Sequence, residues 1–303
     1  MFKNAVKILL SRFHQVWSLL LYYIVAVTVV SALGVTVLMP AITRLLESSI
    51  PAETVALFDS LLNGGSIQEF VKGLSALTSH IAGDLLTQPS VFGSLWIFVL
   101  VIIIVGRFIF GMVEYPTAVA IDGHMSENAS YSFTGKFLLH SGRSSVYQLA
   151  KMLFSIPTDA VILFGLYGLS FLWFVAPLKF FTPLIMVAFF LFVMPLRYQL
   201  FSCWAPALIS GQKKLFPAFA SGAKIAFGKG LGLKIYSCYF VGVFLASALA
   251  VFLGVFTLGA GLFIFIPVSV LFFNILNNVV YYSYSGKRYY VDAETIINTP
   301  VIE

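Results

Sequence analysis

The sequence predicts an all-α integral membrane protein with six transmembrane helices, arranged as three parallel two-helix repeats with cytoplasmic amphipathic helices and with both termini in the cytoplasm. Three observations support this fold class. Of the 303 residues, 60% are hydrophobic and only 10% are charged, whereas about a quarter are charged in a soluble domain. Six apolar segments are long enough to cross a hydrocarbon layer of about 30 Å. Lys and Arg accumulate on one side of these segments.

The six predicted spans are separated by loops of very different length. A basic start, Met1 to Gln15, precedes the first span, whose apolar stretch is longer than that of a signal peptide, so we expect it to be retained. The longest polar loop, residues 40–90, is predicted to be an acidic helical hairpin on the outer face, broken at Asn63-Gly64-Gly65. The spans are predicted at residues 16–39, 91–112, 153–175, 180–196, 235–257 and 262–282.

The distribution of basic residues predicts the orientation. Of the 18 Lys and Arg residues, only Arg44, Lys72 and Lys179 fall on the outer side when the N-terminus is placed inside. This asymmetry indicates a bacterial-type plasma membrane, because Lys and Arg are retained on the cytoplasmic side. A net charge of +6 could suggest nucleic acid, but the basic residues segregate by loop and no nucleic-acid motif accompanies them, so no nucleic-acid partner is expected.

Recurring residues indicate an internal repeat. Arg107 and Pro116 recur as Arg197 and Pro206, and Tyr198 recurs as Tyr282. The unit is a cytoplasmic amphipathic helix followed by two spans, which makes the repeats parallel. The predicted domains are repeat 1 at residues 1–113, which contains the hairpin 40–90, repeat 2 at 114–203, repeat 3 at 204–290 and a cytoplasmic tail at 291–303.

A basic amphipathic segment, Pro206 to Lys234, separates the fourth and fifth spans. As a helix it would align Phe216, Phe219, Ala223 and Phe227 on one face, with lysines around them. Such a helix could pack on its own helices as a linker, lie among lipid headgroups, or dock a partner. The candidates for contact with anionic headgroups are the arginines near the inner ends of two spans and the lysines of this segment: Arg107, Arg197, Lys213, Lys214, Lys224 and Lys229. Alternatively, each of the two arginines could extend its side chain to the cytoplasmic interface without binding a headgroup.

Four polar residues within the predicted spans are candidates for lining a cavity. Asn274, Asn277 and Asn278 form one polar stripe on the sixth span, which fits either a cavity lining or hydrogen bonding between helices. Asp159 lies close to the interior of the third span, where an acid can mark an ion or proton path. Since Ser155 to Asp159 with Pro157 also resembles a helix start, Asp159 could instead favour the helix dipole.

Motifs for catalysis or metal binding are missing from the sequence. It contains no HExxH, no GxSxG and no phosphate-binding loop, and its two cysteines, Cys203 and Cys238, belong to no CxxC motif. No enzymatic activity, cofactor or metal is therefore expected.

Two stretches resemble a family of bacterial six-span membrane proteins. These are Phe216 to Tyr236 and the ending Tyr281 to Asp292, YYSYSGKRYYVD. The family includes the membrane domain fused to some glycerophosphodiester phosphodiesterases, and the likeness covers about the last hundred residues. It implies a six-span fold but no phosphodiesterase activity, because the catalytic barrel is absent here. The acidic hairpin departs from the family pattern.

Two main hypotheses about function follow, and a third is a membrane enzyme that uses dispersed residues. The first is a non-enzymatic protein that handles or transports lipids or amphiphiles, or assists a transporter, with membrane lipids as its partners. It depends on the basic amphipathic rim, the Asn stripe and the parallel repeats. The second is a structural or assembly subunit that binds a protein partner through the hairpin 40–90 or through the cytoplasmic rim.

Overall fold

The structure, a computed structural model, is almost entirely helical. It describes residues 1–64, 66–85, 87–128, 132–175, 177–211, 214–228, 232–292 and 294–298. The helices are α1 Phe2–Ser11, α2 Gln15–Glu47, α3 Ile50–Leu62, α4 Ile67–His80, α5 Pro89–Leu100, α6 Arg107–Gly111, α7 Glu114–Glu127, α8 Phe133–Ser170, α9 Thr182–Ser202, α10 Trp204–Ser210, α11 Leu215–Ala226, α12 Gly232–Phe256 and α13 Leu262–Tyr284. Segments Ile81–Leu85 and Val101–Gly106 are π-helical, and Phe171–Phe174 is a 3-10 turn.

Within the described residues, six helical stretches are long and apolar enough to cross a membrane, as the sequence predicts. They are Gln15–Glu47, Pro89–Glu127, Phe133–Phe174, Thr182–Ser210, Gly232–Phe256 and Leu262–Tyr284. Most of their large apolar side chains are exposed, which suits an apolar solvent rather than water. The chain is therefore a multi-pass membrane protein. The parallel repeat, the orientation and the type of membrane stay predictions.

The chain forms two compact units, and the larger one packs around α13. This unit consists of Met1–Tyr23 and the described residues from Phe110 onward. The second half of α13, from Leu271 to Ser283, is mostly buried, and α13 contacts α1, α7, α9, α10 and α12. Near its middle, Phe2 of α1 meets Phe272 edge to face, with ring centroids 5.4 Å apart. After α13, Tyr289–Tyr290 and Ile296–Ile297 form a short antiparallel ladder.

In the same unit, α10 and α11 pack tightly against each other. The rings of Trp204 and Phe219 stack with centroids 4.1 Å apart. The missing side chain of Gly222 permits a close approach, because a Cβ added there would lie 2.9 Å from the backbone carbonyl atoms of Cys203. The buried face of α11 is Ala218, Phe219, Gly222 and Ala226. Phe216 and Phe227 are exposed, so the aromatic stripe predicted for this helix is divided between the protein interior and the surface.

The smaller unit, Ile24–Ile109, contains most of α2 together with α3, α4 and α5. Its core is Ala41, Ile50 and Val91 with neighbouring leucines and Ile81. Helices α3 and α4 pack against each other and turn at Asn63 and Gly64, whose φ is +89°; Gly65 lies outside the described residues. Ser66 and Glu69 form a capping box at the start of α4. This pair of helices occupies the segment predicted as a hairpin, although α2 continues through Pro40 to Glu47 before it begins.

The helix start predicted at Ser155 to Asp159 is wrong. Helix α8 begins at Phe133, where the Ser132 hydroxyl accepts a hydrogen bond from the Gly135 N–H, and it continues past Pro157 to Ser170. A proline inside an apolar helix is tolerated when neighbouring packing compensates for the lost hydrogen bond. Asp159 is therefore a mid-helix residue and does not cap a helix.

We expect Gly222→Ala to destabilise the protein by about 1 kcal/mol, measured as thermal unfolding in detergent. Overpacking against the Cys203 backbone costs about 1–3 kcal/mol, and the gain in helix propensity from glycine to alanine offsets about 1 kcal/mol of it. Gly168→Ala is the matched control, because nothing lies within 4 Å of a Cβ at this helical position. Equal melting temperatures for both variants would contradict the close approach at Gly222.

Candidate functional site

A row of polar side chains follows one face of α8 in the larger unit. Tyr147, Lys151, Ser155 and Asp159 recur every four residues, so they lie above one another along the helix. Their positions span about 18 Å along the axis. With Glu114 of α7 and Arg197 of α9, they form what we call the polar row. Both ends of the row hold an ion pair.

The first ion pair joins α7 to α8. The carboxylate of Glu114 accepts a hydrogen bond from the Tyr147 hydroxyl at 2.7 Å and pairs with the ammonium of Lys151. The side chains of Lys151 and Glu114 are only 16% and 17% exposed. Because Tyr147 and Lys151 are one helical turn apart, a single carboxylate can satisfy both donors.

The second ion pair joins α8 to α9. The guanidinium of Arg197 donates to both carboxylate oxygens of Asp159, with 3.1 Å between Nη2 and Oδ2. A fork of this kind is the strongest ion-pair geometry available to arginine. The Phe201 ring lies 5.6 Å from the Lys151 ammonium and 5.8 Å from the Arg197 guanidinium. One ring thus contacts both cations, which connects the two pairs.

Only part of this row was predicted from the sequence. Asp159 and Arg197 were named as candidates but were not paired, and Glu114 and Lys151 were missed. The four-residue spacing from Tyr147 to Asp159 was the available signal. It was hidden because the third span was predicted to begin at residue 153, whereas α8 begins at Phe133 and carries the spacing across that boundary.

The Asn stripe of α13 has packing contacts. Asn274 and Asn278 each donate to a backbone carbonyl one turn earlier in their own helix, those of Val270 and Asn274. Asn277 accepts a hydrogen bond from the Tyr239 hydroxyl of α12 at 2.6 Å. The buried side-chain oxygen of Asn278 has no hydrogen-bond partner within the described part of the chain. Of the three residues, Asn277 thus has the contact between helices that the packing alternative predicts.

The basic candidates lie in different environments. The structure gives Arg197 a carboxylate partner, Asp159, which removes it from the predicted contacts with headgroups. Arg107 is half-buried at the start of α6. Lys214, just before α11, and Lys224, in its last turn, are exposed. Lys213 and Lys229 lie outside the described residues.

A cavity of about 820 Å³ lies between α7, the first part of α8, α10 and the start of α11. Its polar wall contains Tyr115, His140 and Arg143. Its apolar wall consists of the aliphatic side chains Val119, Val146, Leu208, Ile209 and Leu215. An apolar groove of about 690 Å³ runs between α9 and α12. Neither has a residue of the Asn stripe or of the polar row in its lining.

Outside the spans, the surroundings of three charged groups lower their pKa. Hydrogen bonds from the Thr295 hydroxyl and from the backbone N–H groups of Glu294 and Thr295 lower the pKa of Asp292, in the turn between the two strands. Hydrogen bonds from the Ser49 hydroxyl and, with a smaller effect, from His80 lower the pKa of Glu53. The contact between His80 and Glu53 also joins α4 to α3. Burial lowers the pKa of Arg12, which lies against the buried His124.

We expect each of the single replacements Asp159→Asn and Arg197→Gln to destabilise the protein by about 2–3 kcal/mol, because each leaves an unpaired charge among apolar helices. The double replacement should recover most of that loss, since no charge remains unpaired. A double-mutant cycle of unfolding in detergent measures this coupling. Additive effects would show that the pair is absent in the folded protein.

We expect Tyr239→Phe and Asn277→Leu to cost about 1 kcal/mol each, because both remove the same hydrogen bond between α12 and α13. Their effects on the melting temperature should be less than additive. Asn274→Leu serves as the comparison, since Asn274 donates only within its own helix among the described hydrogen bonds. A larger loss for Asn274→Leu than for Asn277→Leu would contradict this assignment.

Comparison with known proteins identifies no relative of this chain. No family model, no curated protein and no solved structure matches the chain. The resemblance to the membrane domain of some phosphodiesterases stays a prediction. Within the described residues, no group of three or more His, Cys, Asp and Glu could hold a metal ion.

Proposed function

We propose that this protein is a non-enzymatic integral protein of a bacterial-type cell membrane that handles or transports lipids or other amphiphiles. The observation that carries the proposal is the polar row, in which two ion pairs lie on three helical segments that belong to candidate spans. Ionisable groups at such positions are costly and mark paths for substrates or ions in membrane proteins.

The energetics of buried ion pairs favour a functional role. Desolvation of the two charges consumes most of their attraction, and a well-packed apolar pair is often as stable. A subunit that only held neighbours together could use the close packing of small residues, as at Gly242 against the Phe272 and Phe273 rings. We therefore attribute the four charges to movement or binding within the helices rather than to stability.

The proposal includes an orientation. With the N-terminus inside, α1, α10 and α11 lie at the cytoplasmic side, next to the cytoplasmic ends of the spans that hold the polar row, and Lys214 and Lys224 face the leaflet that carries the anionic lipids. The acidic helices α3 and α4 then lie on the outer face. In this orientation, an amphiphile held at the cytoplasmic rim would have its headgroup beside basic side chains.

The alternative function is that of an assembly subunit, and α3 and α4 give it some support. These helices expose large apolar side chains: Val55, Phe58, Leu62, Ile67, Val71 and Leu74. A pair of helices with this much apolar surface is suited to bury it against another protein. Of the two functions we favour lipid handling, because binding of a partner through α3 and α4 would not require the polar row.

The test is exchange of a fluorescent lipid between leaflets of vesicles that contain phosphatidylethanolamine and phosphatidylglycerol. We expect the wild-type protein to accelerate exchange severalfold over protein-free vesicles. The double variant Asp159→Asn/Arg197→Gln should fall to the protein-free rate, because the polar path is lost while folding is retained. Lys179→Gln, a change of an exposed cation in the turn before α9, is the control and should exchange lipid like the wild type.

Two outcomes would overturn the proposal. Wild-type protein that exchanges no lipid, and that retains none in native mass spectrometry from nanodiscs, does not handle lipids. Full exchange by the folded double variant would separate the polar row from the activity. A stoichiometric protein partner that is lost on Phe58→Ser, together with no lipid exchange, would establish the assembly subunit.

A further inference from the structure

We propose that the cavity between α7, α8, α10 and α11 binds one anionic amphiphile, with its headgroup at Arg143 and His140 and its apolar part along the aliphatic wall. This inference rests on the proposed function and deepens it, because it names the class of ligand and its site. The lining of the cavity contains no residue of the polar row, and the cavity was not indicated by the sequence.

The polar wall suits a single negative charge. His140 meets the Tyr115 ring edge to face, with centroids 6.1 Å apart, which holds the imidazole at the cavity wall. The charges of Lys136 and Arg143 both act on His140, so the surroundings of the ring are cationic. Among the described residues that line the cavity, none is acidic. An arginine fork binds a phosphate or another oxyanion in two places at once.

The aliphatic part of the lining needs an apolar ligand. It consists of Val119, Val146, Leu208, Ile209 and Leu215, and none of these side chains can hydrogen-bond. A free phosphate ion would leave this wall against water. The volume of about 820 Å³ is within the range of about 300–1,000 Å³ that is typical of small-molecule sites. It can hold a headgroup together with the first part of an acyl chain.

The surface beside the cavity continues the apolar wall outward. On α8, Leu139, Val146 and Leu149 are 73%, 57% and 56% exposed. An acyl chain that leaves the cavity along this face would stay on apolar side chains. Lys214, which immediately precedes the lining residue Leu215, is also exposed and adds a further positive charge near the site. Charge and apolar surface thus meet here, which is the pattern that an anionic lipid requires.

The experiment measures binding to the purified full chain in a non-ionic detergent. The probes are a short-chain phosphatidylglycerol, the phosphatidylcholine with the same chains, and glycerol 3-phosphate. The variants are Arg143→Gln at the polar wall and Val146→Trp at the apolar wall. Arg288→Gln is the matched control, because Arg288 is an exposed arginine that does not line the cavity. Melting temperatures show that each variant is folded.

We expect phosphatidylglycerol to bind about tenfold more tightly than phosphatidylcholine, which corresponds to one charge-assisted contact. Arg143→Gln should remove that preference, and Val146→Trp should weaken binding of both lipids by filling the cavity. Arg288→Gln should bind like the wild type. Glycerol 3-phosphate should bind far more weakly than phosphatidylglycerol, because it lacks the apolar part.

Several outcomes would overturn the inference. Equal binding of the two lipids, or a preference that survives Arg143→Gln, would leave only unspecific adsorption to apolar helices. Glycerol 3-phosphate that binds as tightly as phosphatidylglycerol would make this a phosphate site. If binding fails while leaflet exchange still depends on Asp159 and Arg197, this inference is wrong and the proposed function stands. If binding is as expected but no exchange occurs, the site stands and the proposal of transport fails.

Discussion

The larger unit depends on the enclosure of α13. Five helices contact it, and from Leu271 to Ser283 most of its side chains are buried. In a membrane the hydrophobic effect does not drive helices together, so close packing and hydrogen bonds must do so. The stacking of Tyr198 on Phe273, with centroids 4.4 Å apart, and the bond from Tyr239 to Asn277 are contacts of that kind. They align α9 and α12 on α13, and α9 in turn brings Arg197 to α8.

The polar row follows from this arrangement at an energetic cost. With α9 packed on α13, Arg197 lies beside α8, where the carboxylate of Asp159 is its acceptor. Lys151 and Glu114 neutralise each other in the same way between α8 and α7. Each charge is tolerable only because its partner is in place. Any motion that separates α8 from α9 must therefore break the pair between Asp159 and Arg197.

Composition and apolar length predicted the membrane class and the number of spans, because both are sums over many residues. The position of single groups was less predictable. Asp159 was assigned to a helix end because Pro157 precedes it, and proline usually begins a helix or breaks one. In an apolar environment the helix continues instead. Which partner Arg197 takes, and that Arg143 lines a cavity, depend on contacts between segments far apart in the chain, which local spacing does not contain.

The cavity and the polar row meet at two tyrosines. Tyr115, in the cavity wall, contacts the ring of Tyr147 with centroids 5.8 Å apart. The Tyr147 hydroxyl in turn donates a hydrogen bond to Glu114. Glu114 directly precedes Tyr115 on α7, so the first ion pair lies next to a side chain that lines the cavity. The buried Phe219 ring supports Tyr147 from α11, which limits how far it can yield. Packed side chains therefore connect the lining of the cavity to Glu114 and Lys151, without solvent between them.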